Sequence, residues 1–565
     1  AGPIGPRPDL LGAIQALPQP NALWTDATSG PLGDQGFGKN IAWGDMDNDG
    51  DDDIYITNTQ SSNHVFRNNG GGSFTDITTP IEANFMFAAG AEWGDFDNDG
   101  FLDIYNGNWG GINRLFHNFW PGGFADATMP PIDDMMDGSG VAWIDFDNDG
   151  LLDIHVSNMQ GGMDKLFKNI GMGGFIDFTS PPIDNFLDSH DAAWSDFDND
   201  GDMDCYIVNI NGPNDLLVNM GHGQFIPFGD PVLMNGATGW GASWGDADND
   251  GDPDLYLTNQ NTANKMFRND GLFFTDLTAG PLGDTGYGLG ASWADYDNDG
   301  DLDIYLANLN GSNRLLRNDG NFVFTDDTNG PLAAATAPSH GTAWADYDND
   351  GDQDIYLVNS GSANKLFRND INNGNHWLQV QLRGFNCNAS AIGAKVRIVA
   401  GGQSQYRELG TAAGYCSQNS FRLHFGLGAQ TWVDSLIIDW PGNGVEVLTG
   451  LNADQLIVHM QSPLSGAPNQ DSPQWCRLMP GVPNPFNPTT TISYELSQSG
   501  PVSLKVYNVA GQCLRTLVRG QKVAGPHSAV WNGRNDAGHP LSSGVYFARL
   551  VAEGQTFTTK LVLTK

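Results

Sequence analysis

Cysteine is scarce in this chain, with five in 565 residues, and a number so small and odd excludes a dense disulfide framework. Basic charge is scarcer still relative to acid: 26 Lys and Arg face 67 Asp and Glu, a formal charge of −41. Nucleic acid and anionic membrane both need basic patches, so neither is expected as a partner. No run reaches the about 18 apolar residues of a membrane span, so no membrane insertion is expected. No signal segment stands at Ala1, and a chain opening on Ala without Met reads as already processed and exported. Catalytic motifs are missing too. The eleven His residues show no HExxH or CxxCH, and there is no P-loop and no GxGxxG after a strand. Gly241, Ser243 and Gly245 satisfy GxSxG, but that motif needs a strand-to-helix turn, and Ser243 instead precedes an acidic loop and aligns with Ala42, Glu92, Ala142, Ala193, Ser292 and Ala343.

What the chain has in abundance is one stretch, WGDMDNDGDDDIYITN (Trp43 to Asn58), written seven times at a period of 49 to 51 residues, the spacing of propeller blades. Its skeleton is DxDxDGxxD. The first carboxylates are Asp45, Asp95, Asp145, Asp196, Asp246, Asp295 and Asp346, and the third-position ones Asp47, Asp97, Asp147, Asp198, Asp248, Asp297 and Asp348. Position 5 holds Asp49, Asp99, Asp149, Asp200, Asp250, Asp299 and Asp350, and position 9 holds Asp53, Asp103, Asp153, Asp204, Asp254, Asp303 and Asp354. Position 7 varies through Asp51, Phe101, Leu151, Asp202, Asp252, Asp301 and Asp352. A position that accepts Phe and Leu inside an acidic loop contributes its backbone carbonyl, as position 7 of an EF-hand loop does.

Four carboxylates and one carbonyl form an all-oxygen set, which suits a hard cation and favours Ca²⁺ over Mg²⁺, about seven sites in all. Two carboxylates about 4 Å apart repel by about 4 kcal/mol at an effective dielectric of 20, so an empty loop is expected to splay. Seven ions would bring the charge from −41 to −27. The loop is not an EF-hand: position 12, where that motif has its bidentate Glu, is Ile56, Asn106, Val156, Ile207, Leu257, Leu306 and Leu357. An alternating DIYITN-type strand follows instead of a helix, so each loop joins two strands of one blade.

A blade reads as a strand ending in Trp, the DIY strand, an NxLFRN strand and an FTDIT strand. The seventh loop lacks the last of these, and the missing copy stands at the start, Leu23 to Thr28, where it would complete the last blade and close the ring. The repeated Trp43, Trp93, Trp143, Trp194, Trp244, Trp293 and Trp344 read as packing between blades. Cys205 stands where other blades have Ile or Leu and reads as a buried free thiol.

These loops in their WxDxDxDGxxD setting resemble FG-GAP/VCBS repeats, the family of the integrin α propeller, over residues 23–372. The resemblance implies a seven-bladed propeller with Ca²⁺ in the inter-strand loops of one face. Residues 373–462, with HWLQVQLRG, AIGAKV and YCSQNSFRLHFGLG, resemble the ASPIC/UnbV domain of proteins similar to cartilage acidic protein. Cys387 and Cys416 stand where that pattern has Ser and Leu, and their coincidence suggests a disulfide. Residues 463–480 read as a linker. Residues 481–565, with PNPFNPTTTISYEL and LSSGVYFARL, read as a β-sandwich that resembles the FlgD-type Ig-like domain and the C-terminal sorting domain of type IX secretion, an export and surface-attachment address.

The expected fold class is therefore all-β: a seven-bladed Ca-binding β-propeller, a β-rich ASPIC/UnbV domain and a C-terminal Ig-like β-sandwich. Residues 1–22, with five prolines around Leu10, Leu11, Ile14 and Leu17, read either as a surface helix on their own domain or as an arm docking on a neighbouring subunit. Weak calcium loops make sense outside a cell, where the ion is abundant, so the protein is expected at the extracellular face or cell surface of a bacterium. The leading functional expectation is a non-catalytic scaffold, a homo-oligomer or polymer such as a filament or tube, or an adhesive. Two readings stay open beside it: a module recognising a glycan or surface protein, and a polysaccharide-acting enzyme.

Overall fold

The computed structural model describes residues 23–81, 83, 87–184, 187–210, 212–234, 238–271, 273–410, 413–415, 417–442, 444–462, 477–482, 486, 488–496, 500–508, 512–523, 525–552 and 555–563. The expected arm at residues 1–22 lies outside them. Contacts divide the chain into two units, Ala1–Pro463 and Leu464–Lys565.

The alternation of β-branched and aromatic residues in each copy folds as a four-stranded antiparallel sheet. In the first blade the strands are Gly38–Gly44, Asp53–Asn58, His64–Asn68 and Phe74–Asp76, with the acidic loop joining the first two. Seven such sheets occur. In the seventh, Ser339–Ala345, Asp354–Asn359 and Lys365–Asn369 take their fourth strand from the start of the chain, with Trp24 opposite Asn369 and Asp26 opposite Phe367. The ring closes where Trp43 packs edge-on to Tyr356, centroids 6.1 Å apart.

Between blades the packing is tight and repeated. Trp93 Nε1 donates to Ala42 O (3.1 Å), Trp143 Nε1 to Glu92 O (3.2 Å), and Trp344 Nε1 to Ser292 O (3.2 Å). These indoles bury their apolar bodies on the preceding sheet and satisfy their one donor there, whereas Nε1 of Trp43 and of Trp194 has no partner. At Gly94 the approach is close: a Cβ there would lie 2.7 Å from Trp143.

The middle domain is a two-sheet sandwich. One sheet sets His376–Arg383 between Arg422–Gly428 and Gln455–Met460, and the other runs Gln403–Glu408, Lys395–Ala400, Trp432–Asp439, Val445–Asn452. Leu378, Val380, Val396, Ile398, Phe425 and Leu436 fill the space between them. The domain sits on the acidic-loop end of the ring and sends a segment down the axle, where Ser417–Gln418 pairs in parallel with Ile41 and Ala42. Gln418 accepts from Trp93 N (2.8 Å) and donates to Trp93 O (3.0 Å), and Asn419 Oδ1 accepts from Trp344 N (2.9 Å).

The expected bridge between Cys387 and Cys416 is not made. Cys387 is a free thiol in the middle domain's core, where burial pushes its pKa up to about 12. Cys416 lies outside the described residues, but its neighbours Tyr415 and Ser417 are held among the inner strands at the axle. Cys205 is a free, buried thiol.

The second unit pairs a three-stranded sheet (Arg477–Val482, Thr490–Leu496, Gly525–Trp531) with a four-stranded one (Cys513–Lys522, Gly500–Asn508, Gly544–Ala552, Gln555–Leu563) around Ile492, Tyr494, Leu504, Trp531 and Leu550. Its first strand begins at Arg477, within the 463–480 stretch whose composition suggests a linker, because Arg477 and Leu478 pair with Glu495 and Tyr494.

Candidate metal centres in the acidic loops

Each loop turns at its fourth and sixth residues, where Asn48 (φ 59°) and Gly50 (φ 93°) take the left-handed conformation, and the other six loops repeat this. The turn folds position 1 back over the loop: Asp45 Oδ1 accepts from Asp49 N (3.0 Å) and Oδ2 from Gly50 N (3.1 Å). Position 9 opens the next strand, and its oxygens accept from Asn68 N (2.7 Å) and Met46 N (3.0 Å). The Asn ending the third strand is therefore part of each site. Its signal was the invariant last residue of NxLFRN.

Carboxylates of positions 1, 3 and 9 converge: Asp45, Asp47 and Asp53 bring oxygens within 4.8 Å of one another, as do Asp95, Asp97 and Asp103, Asp145, Asp147 and Asp153, and Asp196, Asp198 and Asp204. Position 5 is turned differently, with Asp49 Oδ1 accepting from Asp51 N (3.1 Å) and Oδ2 from Arg67 Nη2 (3.1 Å). The position-7 side chains point to the neighbouring loop, Asp51 accepting from Asn349 (2.7 Å) and Asp252 from Asn199 (2.8 Å).

Electrostatically the pockets are poised for a cation. Burial, reinforced by the facing carboxylates, pushes Asp53 and Asp103 up to about 9, and raises Asp153, Asp204, Asp254, Asp303 and Asp354 well above the usual range. Position 1 follows, Asp95, Asp145, Asp246 and Asp346 rising to about 7, chiefly through burial. One oxygen recurs without a donor: the buried Oδ1 of Asp47, Asp147, Asp198, Asp248, Asp297 and Asp348 has no hydrogen-bond partner. A buried carboxylate oxygen facing two others, at the same position in six loops, fits an oxygen-coordinated cation. These residues would hold it, and the ion would supply the charge that lets them stay ionised.

The cations that reach these carboxylates are less regular than the carboxylates themselves. Arg67 reaches Asp47 (2.7 Å), His117 reaches Asp97 (3.2 Å) and Lys168 reaches Asp147 and Asp149 from the third strand. The fourth blade has Val218 there, and its cation comes from the middle domain: Lys395 Nζ lies 2.7 Å from Asp196 Oδ2 and 2.8 Å from Asp196 O. That domain touches other loops too. Arg422 bonds to Asn349 Oδ1 (2.5 Å) and to Gly50 O, Gly426 N to Asp295 Oδ2 (2.9 Å), Gln379 to Asp346 Oδ2 (2.8 Å), and Ala389 N to Asn98 Oδ1 (2.7 Å). A Cβ on Gly251 would meet Tyr406, and one on Gly150 would meet Cys387. All seven loops therefore lie beneath the middle domain, an arrangement no motif in the chain announces.

Residues 45–106, 95–156, 145–207, 196–257, 246–306 and 295–357 each match the FG-GAP-like repeat, together spanning more than half of the chain. The chain belongs to the FG-GAP-like repeat family. Behind the FG-GAP repeats, residues 384–463 match the ASPIC and UnbV domain and residues 484–555 the FlgD Ig-like domain. FG-GAP repeats commonly bind Ca²⁺, in keeping with the converging carboxylates. No curated protein matches in sequence. Among solved structures, the chain is similar to BBS1N in complex with ARL6DN (10% identity, 62% of this chain and 97% of that one, TM-score 0.44). It is also similar to PorZ, a surface component of the type IX secretion system of Porphyromonas gingivalis, spanning 61% of that chain with 96% of its own (13%, TM-score 0.39), and to the BP39L lectin of Burkholderia pseudomallei (14%, 60% and 97%, TM-score 0.42). An FG-GAP propeller of this kind is a binding or scaffold module. Among the described residues no helix is long and apolar enough to cross a membrane.

Proposed function

We propose that the protein is an exported, non-catalytic scaffold of the bacterial surface, in which about seven Ca²⁺ ions act as internal struts and copies of the chain assemble with one another. The observation that carries this reading is the cover over the metal face. Ions in these loops would lie on the face that the middle domain covers, among its contacts through Arg422, Gly426, Gln379 and Lys395. Metals so placed hold a shape.

Self-assembly is supported by one sector of the rim. In blades 5 and 6 the hairpin between the two outer strands carries Asp270 and Asp319, and in blade 7 Asp370 directly follows the third strand, each held by Arg268, Arg317 or Arg368 and by Thr275, Thr325 or Thr25. In blades 2, 3 and 4 the same tips are Phe119, Ile170 and Met220, exposed, and the outermost strands carry Ala125, Ile176 and Ile226. Net negative charge makes two chains repel, and at these tips apolar side chains stand where blades 5, 6 and 7 carry an acid. The occupant of this sector is a second copy. The FlgD-type unit with its resemblance to a sorting domain supports export by a type IX route.

The test is electron microscopy and sedimentation of the full chain with Ca²⁺ and with chelator. Calcium-dependent oligomers or filaments, lost on substituting Ile170→Asp and Ile226→Asp, support the proposal. A chain that stays monomeric at high concentration with Ca²⁺ refutes the assembly.

A further inference from the structure

The seven acidic loops repeat closely, but the end of the third strand beside each of them does not. Two residues on from that strand's cation stand Asp270 after Arg268, Asp319 after Arg317 and Asp370 after Arg368, but Asn69 after Arg67, Phe119 after His117 and Ile170 after Lys168. Blade 4 has no cation there, Val218 standing before Met220. Side chains two apart along a strand share a face, so an acid at the tip competes with the loop for the cation.

The outcome follows the tip residue in all six blades that carry a cation. Without a tip acid the cation turns to its loop. Arg67 Nε lies 2.7 Å from Asp47 Oδ2 and its Nη2 3.1 Å from Asp49 Oδ2, Lys168 bonds to Asp147 and lies 3.0 Å from Asp149, and His117 Nε2 lies 3.2 Å from Asp97 Oδ2. With a tip acid the arginine turns to the tip instead: Nε donates to Asp270 at 2.9 Å, to Asp319 at 2.9 Å and to Asp370 at 2.7 Å. Among the described residues none of these three guanidinium groups makes an ion pair with a loop carboxylate. A cross-strand threonine fixes each acid. Thr275 and Thr325, opposite Arg268 and Arg317, donate to Asp270 (2.6 Å) and Asp319 (2.7 Å), and Thr25, opposite Arg368, donates to Asp370. Opposite His117 and Lys168 stand Ala125 and Ile176, which can hold no acid.

A cation seated on Asp47 or Asp147 changes what a metal ion meets in the loop. It cancels part of the negative charge that sets the affinity of an oxygen-coordinated site, and it repels the ion. It does not aim the carboxylate. The buried Oδ1 at position 3 is without a partner in Asp47 and Asp147, where the cation is bound, and equally in Asp248, Asp297 and Asp348, where it is drawn away. Charge, not orientation, is therefore what the tip controls. The withdrawn arginines are still felt at Asp248, Asp297 and Asp348, so the control is graded.

We propose that Asp270, Asp319 and Asp370 are positioning residues that raise the Ca²⁺ affinity of the loops beside them by drawing the strand's arginine away from the loop carboxylates. The proposal rests on the reading that the loops hold Ca²⁺, and adds what sets their strength. Blade 1 lacks only the acid: Thr75 already stands opposite Arg67, and Asn69 donates to it at 3.0 Å.

The test is hydrogen exchange read by mass spectrometry on the full chain across a titration of free Ca²⁺, which gives a protection midpoint for the peptide of each loop. Asp270→Asn releases Arg268 and should raise the midpoint of loop 246–254 about ten-fold, the lower end of what the outer partners of metal ligands contribute. Asn69→Asp should draw Arg67 off Asp47 and Asp49 and lower the midpoint of loop 45–53. Neither shift should appear in an Arg268→Gln or Arg67→Gln background, where only the change of tip charge is left. The unaltered loops of the same chain report that the fold is kept, and comparison within one loop cancels the cations that the middle domain brings, such as Lys395 at Asp196. Protection with midpoints unmoved by the tip variants, or shifts that persist in the Gln backgrounds, overturns this proposal alone. Loops with no Ca²⁺-dependent protection overturn the calcium reading and this proposal with it.

Discussion

Asn349 of the seventh acidic loop donates to Asp51 of the first at 2.7 Å, joining residues 298 apart in sequence. The same hand reaches round the whole wheel. Asn48 donates to Gly100 O (2.7 Å), Asn98 to Gly150 O (3.0 Å), Asn148 to Gly201 O (3.1 Å), Asn199 to Gly251 O (3.2 Å), Asn249 to Gly300 O (3.1 Å) and Asn298 to Asp352 Oδ1 (2.8 Å). The fourth loop residue thus has two duties, a left-handed turn and a tie to the next loop. The loops form one closed belt.

The belt makes a separable prediction. Asn349→Gly keeps the turn and removes the tie together with the bond from Arg422, and should cost about 1–3 kcal/mol. Asn349→Ala removes both and should cost about 1–2 kcal/mol more, the penalty of a left-handed L-residue. Chemical denaturation in Ca²⁺ checks this: an Asn349→Gly variant as stable as the parent would count against the tie, and equal losses in the two variants would count against the turn.

Removing calcium should lower the melting temperature by many degrees. A site held at 100 times its Kd contributes about 2.7 kcal/mol, and several such sites are large against ordinary domain stability. Calorimetry in Ca²⁺ and in excess chelator decides, and an unchanged melt refutes the bound ions.

Blade 3 departs from its siblings at a buried pair. Six blades hold Tyr against Asn, as in Asn63 donating to Tyr55 OH at 3.0 Å, whereas blade 3 has His155 and Asp164, both buried, with His155 Nδ1, His155 Nε2 and Asp164 Oδ2 unpartnered. His155→Tyr with Asp164→Asn should stabilise the chain by about 1–3 kcal/mol, since the new phenol reaches a carbonyl as Tyr105 reaches Ile132 O. Denaturant midpoints of the double variant and both single ones measure it.

Acid should destabilise the calcium-loaded protein. Burial depresses His155 and His190 to about 3, so below the ordinary 6.5 of an exposed imidazole the unfolded chain binds protons that the folded one refuses. Their contribution is full above about pH 6.5 and is lost progressively as pH falls toward 3. Melting temperature at saturating Ca²⁺ between pH 7 and 5 should fall, and by less in the single His155→Tyr variant, which leaves Asp164 in place.

Thiol accessibility should separate the cysteines. Cys513 is exposed and should alkylate in the native state, whereas Cys205 and Cys387 are buried and should react only on unfolding. Mass spectrometry after alkylation reads the sites, and a Cys387 that stays blocked without reductant would restore the disulfide.

By itself the sequence determined the all-β class and the repeat with its acidic loops, because each rests on local periodicity: a two-residue alternation makes strands, and Asp at fixed offsets around a left-handed Asn and Gly brings positions 1, 3 and 9 together while position 5 turns elsewhere. The leftover Leu23–Thr28 copy was legible as the missing strand of the last blade, and the fold seats it on Lys365–Asn369 with Trp24 opposite Asn369. What tertiary structure alone decided is everything made between residues far apart. Lys395 in place of the cation missing at Val218, the cover over all seven loops, and the belt closing at Asn349 and Asp51 carry no spacing signal. Such contacts depend on where whole sheets lie against one another, and that leaves the hydrophobic pattern of each strand unchanged.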